Sequence, residues 1–151
     1  MNGIEKIFIK HYRSLDLDEF HDIIALRMQV FVVEQDCPYQ DLDGLDKDAY
    51  HLFVLNSENK IIGTLRILKK GICYPEIAIG RVVSHQNHRD KQIGHLMMRE
   101  AISFIQTELK ESSIRLSAQT HLLKFYEKHG FESTGKEYLE DGIPHTEMLK
   151  K

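Results

Sequence analysis

The sequence predicts an α+β domain in which a mixed central β-sheet is flanked by helices, and three stretches predict it. Residues 76–83 are apolar, branched and short, as a buried strand is. They run through a polar turn into a helix on which Ile93, Met97, Ala101, Phe104, Ile105 and Leu109 share one face. Residues 113–119 and 120–131 repeat the order strand then helix, with Gly130 placed to stop the helix in the left-handed conformation. Residues 51–56 and 61–68 are apolar runs joined through Ser57, Glu58 and Asn59, which suits a hairpin. The whole reads strand, helix, two or three strands, helix, strand, helix, strand.

From the start of the chain, residues 4–11 alternate loosely and form a first strand with Ile7 and Ile9 on one side. Asp16 and Glu19 have the spacing of a capping box, and Phe20, Ile23, Ile24, Arg27 and Phe31 mark one face of the helix that follows. Arg27 beside an apolar stripe either covers core surface with its stem or contacts substrate or the loop that follows. That loop passes Pro38 and carries Asp41, Asp43 and Asp46, which with Glu34 would either favour a cationic acceptor or form a solvated face.

The 151 residues, 42% of them apolar, suffice for one domain spanning 1–151 and are too few for two ordinary ones. A net charge of −3, from 20 basic and 23 acidic side chains, implies no broad attraction to nucleic acid or to an anionic membrane. No apolar run has spanning length, and the first residues lack the pattern of a secretion signal, so a cytoplasmic location is expected. Cys37 and Cys73 form no C-x-x-C pair, and the pair His85 and His88 lacks further ligands at a metal-binding spacing, so neither a disulfide nor a metal site is expected. The aspartates of residues 41–48 do not place Gly44 at the sixth position of a calcium loop.

The turn before the second helix carries anion-site chemistry. The first amides of a helix have no internal partners and sit at the positive end of its dipole. Gly94 permits close approach of a diphosphate, and Arg89 and Lys91 add positive charge.

Arg89-Asp90-Lys91-Gln92-Ile93-Gly94 resembles the R/Q-x-x-G-x-G/A loop of the GCN5-related N-acetyltransferase (GNAT) superfamily, with Gln92 at the first glycine and Asp90 where a glycine often follows the arginine. Residues 125–131 resemble the F-Y-x-x-x-G-F signature after that superfamily's fifth strand. Residues 26–46, 80–83, 118–121 and the E-D-G-I-P-H segment near the end are similar to its ElaA-like branch.

The resemblance implies the GNAT (acyl-CoA N-acyltransferase) fold, with splayed fourth and fifth strands, and acetyl-CoA as co-substrate. Carried over by position, Val82 and Val83 would hold the pantetheine and thioester, and Arg89, Asp90, Lys91, Gln92, Ile93, Gly94 and His95 the diphosphate. Gln119, at the end of the fifth strand, joins the cofactor set, and Arg27, Glu34 and Gln35 the acceptor set. Tyr126 is the expected acid, since a phenol with a pKa of about 10 stays protonated at neutral pH. For the base, Glu76, Glu34, His121 and His145 are all candidates: an imidazole could take the proton directly, a carboxylate through water.

The expected reaction is acetyl transfer to a primary amine of a small molecule or peptide, by direct attack in a ternary complex. The alternatives are a non-catalytic acyl-CoA-binding module and a relative of the acyl-homoserine lactone synthases, which residues 30–46 loosely resemble. An edge strand near residues 135–148 is expected to be able to pair two copies as a homodimer.

Overall fold

The computed structural model describes residues 5–151, and the side chains of Asp90 and Lys91, like Ile4 of the expected first strand, lie outside the described residues. Seven strands form one sheet in the order β1-β2-β3-β4-β5-β7-β6. They are β1 (Lys6–His11), β2 (Tyr50–Leu55), β3 (Ile61–Leu68), β4 (Ile77–Ser84), β5 (Ile114–Gln119), β6 (Glu132–Glu140) and β7 (Ile143–Lys150). All neighbours run antiparallel except β4 and β5, which are parallel. This is the mixed sheet that the sequence predicts, flanked by helices in an α+β arrangement.

The first helix, α1 (Leu17–Arg27), starts at the capping box: the Glu19 amide donates to Asp16 Oδ1 at 2.7 Å and the Asp16 amide to Glu19 Oε1 at 3.0 Å. Its chain does not leave the helix at once, as expected, but continues through a π-helical segment, Met28–Glu34. The second, α2 (Ile93–Thr107), buries Ile93, Met97, Met98, Ala101 and Ile105. These residues pack with Leu52 and Val54 of β2, whereas His51, the neighbour of Leu52 in the strand, lies against Phe20 of α1. Side chains alternate across a strand, so the two helices cover opposite faces. Gly63 lets α2 sit close on β3, since a Cβ there would meet Met97 Sδ at 2.8 Å.

Two expectations are corrected. The helix over residues 120–131 is a 3-10 turn (Thr120–Leu122) and a short α3 (Leu123–Glu127), closed by bonds from the His129 and Phe131 amides to the Tyr126 carbonyl, with Gly130 at φ +90°. The chain's last segment is not one edge strand but the β6–β7 hairpin, turned at Asp141 (φ +52°) and Gly142 (φ +79°). Two successive left-handed residues are what an Asp-Gly hairpin turn requires. β7 is therefore an inner strand, and β6 forms the edge.

One feature of the sheet creates the site. β4 and β5 pair only at Ile77 with Ile114 and Ala78 with Arg115, although both strands continue well beyond. On its other side β4 slips register against β3, so that Thr64 faces Val83 while Arg66 faces Gly80, and Arg81 stands in the slip with φ +51°. A non-glycine residue in that conformation costs about 1 kcal/mol, and the bulge turns β4 away from β5. Past Ala78 the β5-facing polar groups of β4 have no strand partner.

Candidate active site

The splay opens a cavity of about 930 Å³. Val82 and Val83 of β4 form one bank and Ser117 and Gln119 of β5 the other, with Gly94 and His95 at one end and Tyr126 and His145 within reach of the same space.

The turn at the α2 end is a 3-10 helix (Gln86–Lys91), and Gln92 follows it at φ +62°. A glycine would take this left-handed backbone without strain, whereas Gln92 adopts it at some cost. The first helical amide with a partner among the described residues is that of Leu96, bonded to the Gln92 carbonyl at 3.1 Å, and the amides of Ile93, Gly94 and His95 make up the first turn of the helix. Gly94 is tight against Phe125, whose ring a Cβ would meet at 3.0 Å. The His95 ring is itself engaged, with Nδ1 2.8 Å from His129 Nε2 and its face on Phe125. Burial and the nearby Lys128 and Arg99 hold its pKa below the ordinary imidazole value.

Arg89 is not the mobile cation that the sequence suggests. Its Nη1 donates to Glu34 Oε2 at 2.6 Å and its Nη2 to Glu34 Oε1 at 3.0 Å, and the same guanidinium bonds the Ser84 carbonyl. The Arg89 bond keeps the Glu34 carboxyl below its usual range despite some burial. Next to Glu34, Gln35 meets Gln119 across the cleft, each amide nitrogen 3.4 Å from the other's oxygen.

Among the acid and base candidates, Tyr126 is 5% exposed, lines the cavity, and finds no hydrogen-bond partner for its hydroxyl among the described residues. Burial pushes its phenol up, so the hydroxyl keeps its proton. His145 is buried, with Nδ1 2.7 Å from the Ile143 carbonyl, which can only accept. The neutral ring therefore carries its proton on Nδ1 and a lone pair on Nε2, 3.5 Å from Glu140. The ring stacks on Tyr138, whose hydroxyl bonds Ser117 Oγ. His121 stands exposed at the rim.

Glu76 must be corrected as a base. Its carboxylate forms a two-point pair with Arg115, both contacts at 2.8 Å, and does not line the cavity. The Arg115 bond holds its pKa down to about 2, so at neutral pH it takes up no proton. Glu76→Gln is expected to leave kcat and KM of the acyl transfer unchanged, as steady-state kinetics would check, because it removes a pair that lies outside the cavity.

Arg27 is likewise corrected as a substrate contact. It is 1% exposed, with Nε 2.9 Å from Asp41 and Nη1 2.8 Å from Asp46. Arg81 joins Asp41 to Asp43, and Arg66 joins Asp43 to Asp46, closing a ring of three arginines and three aspartates. These aspartates, expected either to favour a cationic acceptor or to form a solvated face, are each instead bonded by two arginines. Sequence reasoning missed Arg66 and Arg81 here, although each is the one charged residue in its apolar strand, a position that demands carboxylate partners. It missed Ser117, Tyr138 and Glu140 too, which only the register of β5, β7 and β6 brings to His145. Among the described residues no group of three or more His, Cys, Asp or Glu could hold a metal ion, both cysteines are free, and no helix is long and apolar enough to cross a membrane.

A parallel pair of strands that parts over a helix N-terminus, with a buried phenol and an imidazole in the gap, is the framework of an acyltransferase. Residues 14–151 match the family model of the acetyltransferase (GNAT) domain, and the chain belongs to that family. Within it, protein ElaA of Escherichia coli strain K12 is 34% identical over 142 residues, covering 93% of each chain. The crystal structure of Escherichia coli ElaA superposes with a TM-score of 0.90 at 31% identity, covering 98% of this chain and 100% of that one. An acyl-CoA N-acyltransferase from Pseudomonas aeruginosa superposes with a TM-score of 0.90 at 37% identity, over 97% and 99%.

Proposed function

We propose that the chain is an acetyl-CoA-dependent N-acetyltransferase that acetylates a primary amine of a small molecule or peptide by direct attack in a ternary complex. The observation that carries this reading is the splay itself: the edge of β4 that β5 leaves unpaired, the first turn of α2, Tyr126 and His145 all border one cavity.

The residues present fit acetyl-CoA. The backbone at Val82 and Val83 would bond the pantetheine arm as a strand would, and the amides of Ile93, Gly94 and His95 would take the diphosphate. Gly94 leaves no side chain in the way. When bound, the cofactor supplies an acetyl group activated as a thioester. Tyr126 holds a proton on its hydroxyl and donates it to the departing sulfur. His145 Nε2 accepts the proton of the incoming amine. His145 is preferred over Glu34, which Arg89 occupies, and over His121, which no described group orients.

The test is a panel of primary amines offered with acetyl-CoA, following thiol release together with the mass of the acetylated amine. His145→Gln is expected to lower kcat by about 10²- to 10³-fold. An unchanged kcat in the variant would assign the base elsewhere.

A further inference from the structure

Residues 28–40 leave α1 at Arg27 and return at Asp41, and these two ends are fastened to each other by the buried Nε–Oδ2 bond of 2.9 Å. The segment between them is a strap with a fixed base. At its far end two consecutive residues reach opposite banks of the splay. Glu34 pairs with Arg89, on the turn that follows β4, and Gln35 pairs with Gln119, at the end of β5. The strap is π-helical up to Glu34, a geometry frequent at functional sites.

The two contacts differ in kind. The amide pair is neutral and long at 3.4 Å. The ion pair is two-pointed, and it uses the one described cationic side chain of the turn that precedes α2. A carboxylate and a diphosphate oxygen make the same planar, two-point demand on a guanidinium. Glu34 therefore occupies, on Arg89, the place that an anionic ligand of this turn would take.

We propose that the strap is closed over the cleft by Glu34 acting as an internal substitute for the cofactor's diphosphate, and that the cofactor opens it by taking Arg89 from Glu34. The proposal rests on the acyl-CoA reading above and adds to it a competitor built into the chain. The side chains of Arg89 and Glu34 are 42% and 28% exposed, so the pair is a weak one and can be exchanged.

The experiment is calorimetric titration of CoA, without an acetyl group, into the full chain and into Glu34→Gln, Arg89→Ala and the double variant, at low and high salt. Glu34→Gln should bind CoA about three- to tenfold more tightly than the wild type, and the gain should shrink as salt rises. The gain should be larger with Arg89 present than in the Arg89→Ala background, where only general repulsion is relieved. Equal or weaker binding by Glu34→Gln, or a gain as large without Arg89, would overturn the strap while leaving the acyl-CoA reading intact. Failure of both the wild type and the variants to bind CoA would remove that reading and the strap with it. Glu34 lies outside the core clusters, and an unchanged unfolding midpoint would show that the variant is folded.

Discussion

Tyr126→Phe is expected to lower kcat by about 10²- to 10³-fold, leaving the affinity for acetyl-CoA and the unfolding midpoint close to those of the wild type. The ring is part of the main core, packed at right angles to Phe125, and Phe keeps that packing. What the substitution removes is a hydroxyl with no hydrogen-bond partner among the described residues, on a side chain that lines the cleft. Burial raises the phenol's pKa, which keeps the proton in place across the neutral range. Steady-state kinetics with saturating acetyl-CoA separate this loss from one in binding. A variant that lost affinity but kept kcat would make Tyr126 a packing residue only.

Arg27→Met should destabilise the fold by about 3–5 kcal/mol, read as a lower midpoint in urea or thermal unfolding. Arg27 is the most enclosed arginine of the ring, and its removal leaves Asp41 and Asp46, each about 2% exposed, short of the guanidinium that both share. Methionine fills similar volume, so the cost is that of stranded charge and not of a void. The ring also sets the acid limit of the fold. Burial raises the pKa values of Asp43 and Asp46, but the arginine hydrogen bonds outweigh it and both carboxyls lie below their usual range in the folded state. A depressed folded pKa contributes stability that is complete above the unfolded value of about 3.9 and is lost as pH falls below it. The wild type should therefore lose stability steeply below about pH 4.

Much of the framework was legible because it is local. The capping box at Asp16, the hairpin between β2 and β3, the strand–turn–helix from β4 into α2 and the left-handed Gly130 each depend on residues within a few positions of one another. Gln92, at the family's glycine position, proved to have the backbone that makes a glycine preferred there. What escaped depends on register. Glu76 meets Arg115 because Ala78 pairs with Arg115 across the parallel strands, two residues on and on the same face. The arginine–aspartate ring joins residues 27, 41, 43, 46, 66 and 81, and no spacing in the chain announces which carboxylate serves which guanidinium. The stretch from Val30, expected to leave the helix toward Pro38, stays helical to Glu34, with Val30 packed against Leu26 and Val83.

The central claim is that the opening between β4 and β5 holds acetyl-CoA, and calorimetric titration of acetyl-CoA into the wild type and into Arg89→Ala tests it most directly. The account predicts saturable binding at one molecule per chain, weakened in Arg89→Ala, where a guanidinium partner for the diphosphate is lost. No binding by the wild type would mean that this opening does not take the cofactor, and the acetyltransferase mechanism would have to be withdrawn.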